Sequence, residues 1–305
     1  MSYISVKSSL HFIVAVVASL FFFSLVYQKL SISSILELFS KLHPNQIFVS
    51  IALFYTSQFA RGYRWHLISK SYQEVPDVEK NFINFLFGNA LNIILPLRGG
   101  DIFRVYLASK SMGYFLSTIS IIKEKAFDLL LVLYLFASCY LIITNFNGQF
   151  IYFFALISIV LPFLILLFSL RAVNKCLLII PRLRKYIFQE DLIRLAKIYI
   201  LTVFGYLVDS TIILLLLSGI TDFEFLVAIQ LNSVLALTSV IPSLPFGFGV
   251  FHFFVGSYLA FLDSSIDGFN LSTLLNIFFI FVFCGQMVSV GAYILIKIFR
   301  KSVTF

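Results

Sequence analysis

The chain has 305 residues, of which 60% are hydrophobic and only 12% charged, and its mean hydropathy is +1.01. A soluble protein of this length needs a far more polar surface, so the composition excludes a soluble globular domain. Lys and Arg outnumber Asp and Glu by 22 to 14, for a net charge of +8, and these charges are gathered between apolar runs rather than spread evenly.

Taken in chain order, the apolar runs approach or exceed the 18 residues or so that cross a bilayer core of about 30 Å. The spacing predicts full spans at about 9–27, 46–62, 125–144, 150–170, 198–219 and 271–297. The first run follows a single basic residue, Lys7, and no small-residue cleavage site closes it, so it reads as a retained span rather than a signal peptide. Alternating ten-residue strands are missing, which excludes an outer-membrane barrel. The expected fold is an all-α polytopic membrane protein, a single transmembrane domain over 1–305.

Two segments, 82–118 and 225–262, are apolar but interrupted by "LPLRGGD" and "IPSLPFGFG". As helices, 82–95 and 226–241 rise only ~21 and ~24 Å, too little to span comfortably. Lys and Arg concentrate at 61–80, at 171–197 and at the C-terminus, which places these stretches and both termini in the cytoplasm. The connections 144–150, 219–225 and 262–271 carry no Lys or Arg and are expected outside. The 28–45 connection holds Lys29 and Lys41 against Glu37, and alternation requires it outside too. Each interrupted segment then enters and leaves on one side, as a re-entrant or broken helical hairpin. Non-helical backbone at that depth is tolerated only where it packs in protein or lines a cavity. Residues 1–144 and 150–297 repeat the order span, span, hairpin, span with inverted topology, an arrangement in which broken helices build a binding site near the midplane. A continuous ten-helix bundle is the alternative.

Several residues could carry chemistry. Pro96 ends a helix by its ring and missing donor, and Gly99 and Gly100 permit a tight turn. Asp101 can cap the helix that follows, and such an N-terminus suits an anion, with Arg98 beside it and Arg104 one turn in. The tip is either a headgroup or phosphate site or a loop whose charges meet water. Glu124 and Asp128 share a helix face, with Lys123 and Lys125 around them, and Arg98 or Arg104 are the expected partners. Asp209 stands mid-span, either functional or paired structurally. In the second break Gly247 and Gly249 form a turn, and His252 follows just inside the next helix. Asn89, Asn92, Gln230, Asn232 and Gln286 suit interhelical hydrogen bonds. Residues 181–197 suggest an interfacial helix on anionic headgroups. Cys139, Cys176 and Cys284 are scattered, and no catalytic set, metal cluster or phosphate loop is visible, so an enzyme, a cofactor and a nucleic-acid partner are not expected.

"NALNIILPLRGGDIFRVYLA", then "EKAFDLLLV", then "PFGFGVFH" together resemble the lysylphosphatidylglycerol synthase transmembrane-region family, the flippase-like domain of the multiple peptide resistance factor. The resemblance covers about 45–295. The family pattern, N…P-x-R-x-G-[DE]…R, then E-R-x-x-D, then P-G-G-x-G-x-x-E, falls on Asn92, Pro96, Arg98, Gly100, Asp101, Arg104, Glu124, Lys125 and Asp128. Lys125 stands where the family prefers Arg, Phe246 where it has Gly, and His252 where it has an acid. On this resemblance the chain is expected to be a stand-alone member without the soluble synthase domain, and so not to synthesise aminoacyl lipids. The resemblance implies translocation of a membrane lipid or lipid-linked glycan across the inner membrane of the cell envelope, with envelope-biosynthesis enzymes as possible partners. A non-transporting scaffold or regulator of such an enzyme is the alternative.

Overall fold

The computed structural model describes residues 16–72, 77–95, 98–145, 192–239, 241, 243–262 and 267–303. The expected span at 150–170, most of the basic segment and the expected interfacial helix, the residues before 16, and Pro96 lie outside them. Every regular element among the described residues is a helix. The helices are α1 (Val16–Lys29), α2 (Ile32–Ser40), α3 (Pro44–Lys70), α4 (Val78–Ile94), α5 (Gly99–Met112), α6 (Tyr114–Asn145), α7 (Leu192–Leu217), α8 (Phe225–Thr238), α9 (Val250–Leu262) and α10 (Gly268–Val303). A short 3-10 turn, Pro245–Gly247, precedes α9.

Local chemistry explains most boundaries. Ser31 caps α2 by accepting from the Ser34 amide at 3.4 Å. Pro44 opens α3, while Gln46 reaches back to the His43 amide at 3.0 Å. Asp77 caps α4 through the Lys80 amide, and Asp267 caps α10 through the Asn270 amide. Gly113, at φ +79°, ends α5, and α6 begins at the next residue.

Among the described residues, three helical stretches are long and apolar enough to cross a membrane: Leu192–Leu217, Pro245–Leu262 and Gly268–Lys297. A fourth span is possible if α1 and α2, bent by 77°, count as one. Three boundaries differ from the sequence reading. α3 runs on to Lys70 rather than ending near 62, because no Gly-Pro break follows Arg61. α6 starts at 114 and runs 32 residues, so Glu124 and Asp128 lie well inside a helix rather than at its rim. Leu192–Lys197 are the first turns of the spanning helix α7 rather than part of a separate interfacial helix.

The described chain forms two compact units, and each draws on both halves of the sequence. One unit holds 1–47, 82–104 and 238–305; the other holds 48–81 and 105–237. In the second, Asn232 on α8 donates to the Tyr206 carbonyl at 3.0 Å and to Ser210 Oγ at 3.1 Å on α7. In the first, Gln286 on α10 donates to the Leu86 carbonyl on α4 at 2.7 Å. Both are the interhelical bonds expected of these amides.

Also in the first unit, α1 braces the second break. Ser19 Oγ accepts from the Leu244 amide at 2.8 Å, and Phe23 stacks on Phe248 with centroids 4.5 Å apart. Gly249, at φ +81°, lies so close to the Ser19 carbonyl that a β-carbon would overlap it. Ten residues on, Lys29 Nζ stands 4.5 Å from the Phe269 ring centroid, and the Ser31 amide donates to Asn270 at 3.0 Å. The α1–α2 turn and the start of α10 therefore share one end of the unit. The second break sits ~15 Å from that end along α1, at 1.5 Å per residue.

Each break forces one non-glycine residue into the left-handed region, Arg98 at φ +54° and Phe246 at φ +65°. Such a conformation costs an L-residue ~1–2 kcal/mol. Phe246 occupies the place where the family pattern has glycine, which adopts it freely. Phe246→Gly should therefore raise the thermal unfolding midpoint in detergent micelles, with a gain of about 1 kcal/mol, while Gly249→Ala should lower it. A fall for Phe246→Gly would show that its ring contacts outweigh the strain.

Candidate functional site

The first polar cluster lies at the α4–α5 hairpin. Gly88 on α4 leaves room for the Arg104 stem, and Gly100 on α5 faces the Gly88 carbonyl and Asn92. A β-carbon at either glycine would overlap these atoms, so the two arms touch backbone to backbone. This proximity lets Asn92 act across the hairpin. Its Oδ1 accepts from the Asp101 amide at 2.9 Å, and its Nδ2 donates to Asp101 Oδ1 at 3.0 Å. The cap of α5 is therefore Asn92, not Asp101 as expected. Asp101 already sits in the first turn, where its own carboxylate cannot play that part. Freed from capping, the Asp101 carboxylate also receives Arg104 Nη1 at 3.3 Å. Arg104 is fully buried, with its guanidinium 4.9 Å over the Phe85 ring.

Arg98 forms the tip. Its Nε donates to the Ser239 carbonyl at 2.9 Å, and its Nη2 bonds Ser239 Oγ. Ser239 directly follows α8, where carbonyls lack helical partners and the helix dipole is negative. The two breaks therefore meet, and a guanidinium of the first closes the helix end of the second.

The second break places Gly247 and Gly249 in the left-handed region, at φ +67° and +81°. His252 follows on α9 and is 6% exposed, edge-on to Phe248 and Phe251. Its Nδ1 has no hydrogen-bond partner among the described residues. Of the two breaks, the first thus carries the charged groups, while His252 of the second stands among aromatic rings.

The second cluster belongs to the other unit and centres on Arg64 of α3, 1% exposed. Its Nη2 donates to Asp128 Oδ2 at 3.1 Å and to Glu124 Oε1 at 3.2 Å. Its Nη1 donates to Thr202 Oγ1 at 2.9 Å and also bonds Asp128 Oδ1. The cation between the two carboxylates is thus Arg64, where Arg98 or Arg104 was expected. Its fork holds Asp128 with two nitrogens, as arginine geometry allows. One turn earlier, Arg61 pairs with Asp209 of α7. Ser57 Oγ donates to the Gly205 carbonyl at 3.4 Å, and a β-carbon at Gly205 would stand 3.3 Å from Arg61 Nε. Residues 57, 61 and 64 of α3 thus face 202, 205 and 209 of α7, each set at the three-to-four spacing of one helix face. Lys125, one residue from Glu124, is half-buried.

Arg61, Arg64 and Thr202 were missed because the two arginines read as cytoplasmic loop charges. The available signal was their spacing with Ser57 on one helical stripe.

The sequence profile described as "Lysylphosphatidylglycerol synthase TM region" matches residues 12–298, nearly the whole chain. The chain belongs to that family. It is a multi-pass helical membrane protein, and the matched family describes a transmembrane region rather than a catalytic domain. No curated protein and no solved structure matches the chain. Of the residues on the family pattern, Asn92, Gly100, Asp101 and Arg104 come together in the first unit, while Arg98 turns to Ser239. Glu124 and Asp128 come together in the second, around an arginine outside the pattern.

Removing one partner of a buried ion cluster leaves uncompensated charge, at a cost of ~3–5 kcal/mol. Arg64→Met should therefore lower unfolding stability in micelles by that amount. The triple variant Arg64→Met, Glu124→Gln, Asp128→Asn should recover most of it. A single variant as stable as the wild type would mean that the cluster is solvated.

Proposed function

We propose that the protein is a flippase-like transporter, carrying a lipid or lipid-linked glycan with a phosphate-bearing, anionic headgroup across the cytoplasmic membrane. The observation that carries this reading is the contact of Arg98 with Ser239. It joins two chain breaks inside one unit, one of them ~15 Å from the Asn270 end, about half of a hydrocarbon core. Broken backbone at such depth suits a polar binding site, and a charged side chain there is costly unless it serves one. The family membership supports a lipid-related membrane role.

In this reading the termini are cytoplasmic and α4–α5 enters from the cytoplasm, while 225–262 enters from outside. The halves 1–144 and 150–297 are inverted repeats, and their breaks are the two tips. Arg98 binds the headgroup phosphate, exchanging its Ser239 contact for it. Asn92 and Asp101 hold the turn that presents Arg98, and Arg104 stabilises Asp101 from below. The Arg64 and Arg61 clusters keep Glu124, Asp128 and Asp209 neutralised while the helices move. Acyl chains remain in lipid, and no chemical step on the headgroup is required.

The test is a lipid-flux assay in proteoliposomes with fluorescent anionic phospholipid and a polyprenyl-phosphate analogue. The wild type should move at least one of them. Arg98→Ala and Asp101→Ala should abolish movement while the purified variants keep their elution profile and helicity. Undiminished flux in both would overturn the site, and no flux in the wild type with either lipid would overturn the transporter reading.

A further inference from the structure

α2 is short, lies between α1 and α3 and has no part in either polar cluster. Its nine residues present three distinct faces. Ile32, Ile35, Leu36 and Phe39 fall within an arc of about 100° at 3.6 residues per turn. Ile32 is 78% and Leu36 64% exposed, and Phe39 is exposed as well. Ser33, Glu37, Ser40 and Lys41 occupy the next arc, where Lys41 pairs with Glu37 at 2.8 Å. Leu38, on a third side, is buried, and α2 packs against α10.

Apolar side chains this exposed beside a solvated ion pair suit neither water nor a bilayer centre. The bend of 77° from α1 turns the helix away from the direction of a span. α1 carries exposed apolar residues of its own, with Val17, Leu20, Phe21 and Leu25 at helical spacing. The turn is fixed at the start of α10, through Ser31 to Asn270 and Lys29 over Phe269.

We infer that α2 is an in-plane interfacial helix whose Ile32, Leu36 and Phe39 insert into the acyl boundary of the bilayer. Glu37 and Lys41 then face the water above the headgroups. The occupied leaflet is the one at the start of α10. It lies opposite the basic end of α10, since Lys297 is ~40 Å from Asn270 at 1.5 Å per residue. Such a helix binds through buried apolar area and sits ~5–10 Å into the headgroup boundary. This assignment is independent of whether the protein transports lipid.

Trypsin cuts after Lys29 and Lys41, so residues 30–41 are released as one peptide that reports α2. The unmodified full chain, in liposomes of phosphatidylethanolamine and phosphatidylglycerol, is treated with a membrane-soluble aryl diazirine. In parallel it is treated with a water-soluble carbodiimide and an amine. The peptide should carry diazirine adducts in the first experiment and an amide on Glu37 in the second. Leu36→Ser with Phe39→Ser should sharply reduce the diazirine adducts and leave Glu37 reactive. Missing adducts in the wild type would overturn the proposal by placing the face in water or under another chain. An unreactive Glu37 would overturn it by making α2 the second half of a broken span. Adducts unchanged in the double variant would overturn it by locating the lipid contact elsewhere on the peptide.

Discussion

A guanidinium or carboxylate among hydrocarbon must find an opposite charge or a strong hydrogen-bond partner, and in this chain that constraint decides which helices touch. Arg64 gathers α3, α6 and α7 because Glu124, Asp128 and Thr202 are the groups that satisfy it. Arg61 repeats the arrangement one turn away with Asp209. In the other unit, Arg104 finds Asp101 and the face of Phe85, while Arg98 finds the carbonyl end of α8. Apolar packing between helices gives little direction when lipid tails are equally apolar, so polar contacts carry the specificity.

The glycines serve the same end. Gly88 and Gly100 bring α4 and α5 close enough for a short asparagine to span the gap. Gly249 brings the second break onto α1, where Ser19 supplies an acceptor to the Leu244 amide. In both cases the missing β-carbon allows a backbone group freed by the break to find a partner. Without such partners a break at membrane depth would leave polar groups in hydrocarbon.

Much of this was legible in the sequence. Pro and Gly inside apolar runs marked both breaks, and the amides of Asn92, Asn232 and Gln286 announced interhelical bonds. The family's motifs were recognisable from residues 89–108, 124–132 and 245–252. Other features were hidden for physical reasons. Arg61 and Arg64 have the composition of a cytoplasmic loop, and only three-dimensional pairing shows that Arg64 is buried. The cap of α5 comes from Asn92, nine residues earlier, and no local pattern of α5 itself reveals an acceptor reached across a hairpin. Gly113 ends a helix by its backbone conformation alone, which one glycine among many does not advertise. The amphipathic face of α2 was overlooked because nine residues between spans read as a connection.

The bond between Arg98 and Ser239 has a kinetic meaning for a carrier. A site that grips its cargo too well turns over slowly, since leaving becomes the hard step. Here the guanidinium already has an occupant, supplied by the protein itself. In the proposed transporter an incoming phosphate would have to displace that carbonyl, at a cost in net affinity, and the carbonyl would be at hand to take the guanidinium back as the phosphate departs. On that proposal the resting contact would lower the barrier to release, favouring throughput over retention.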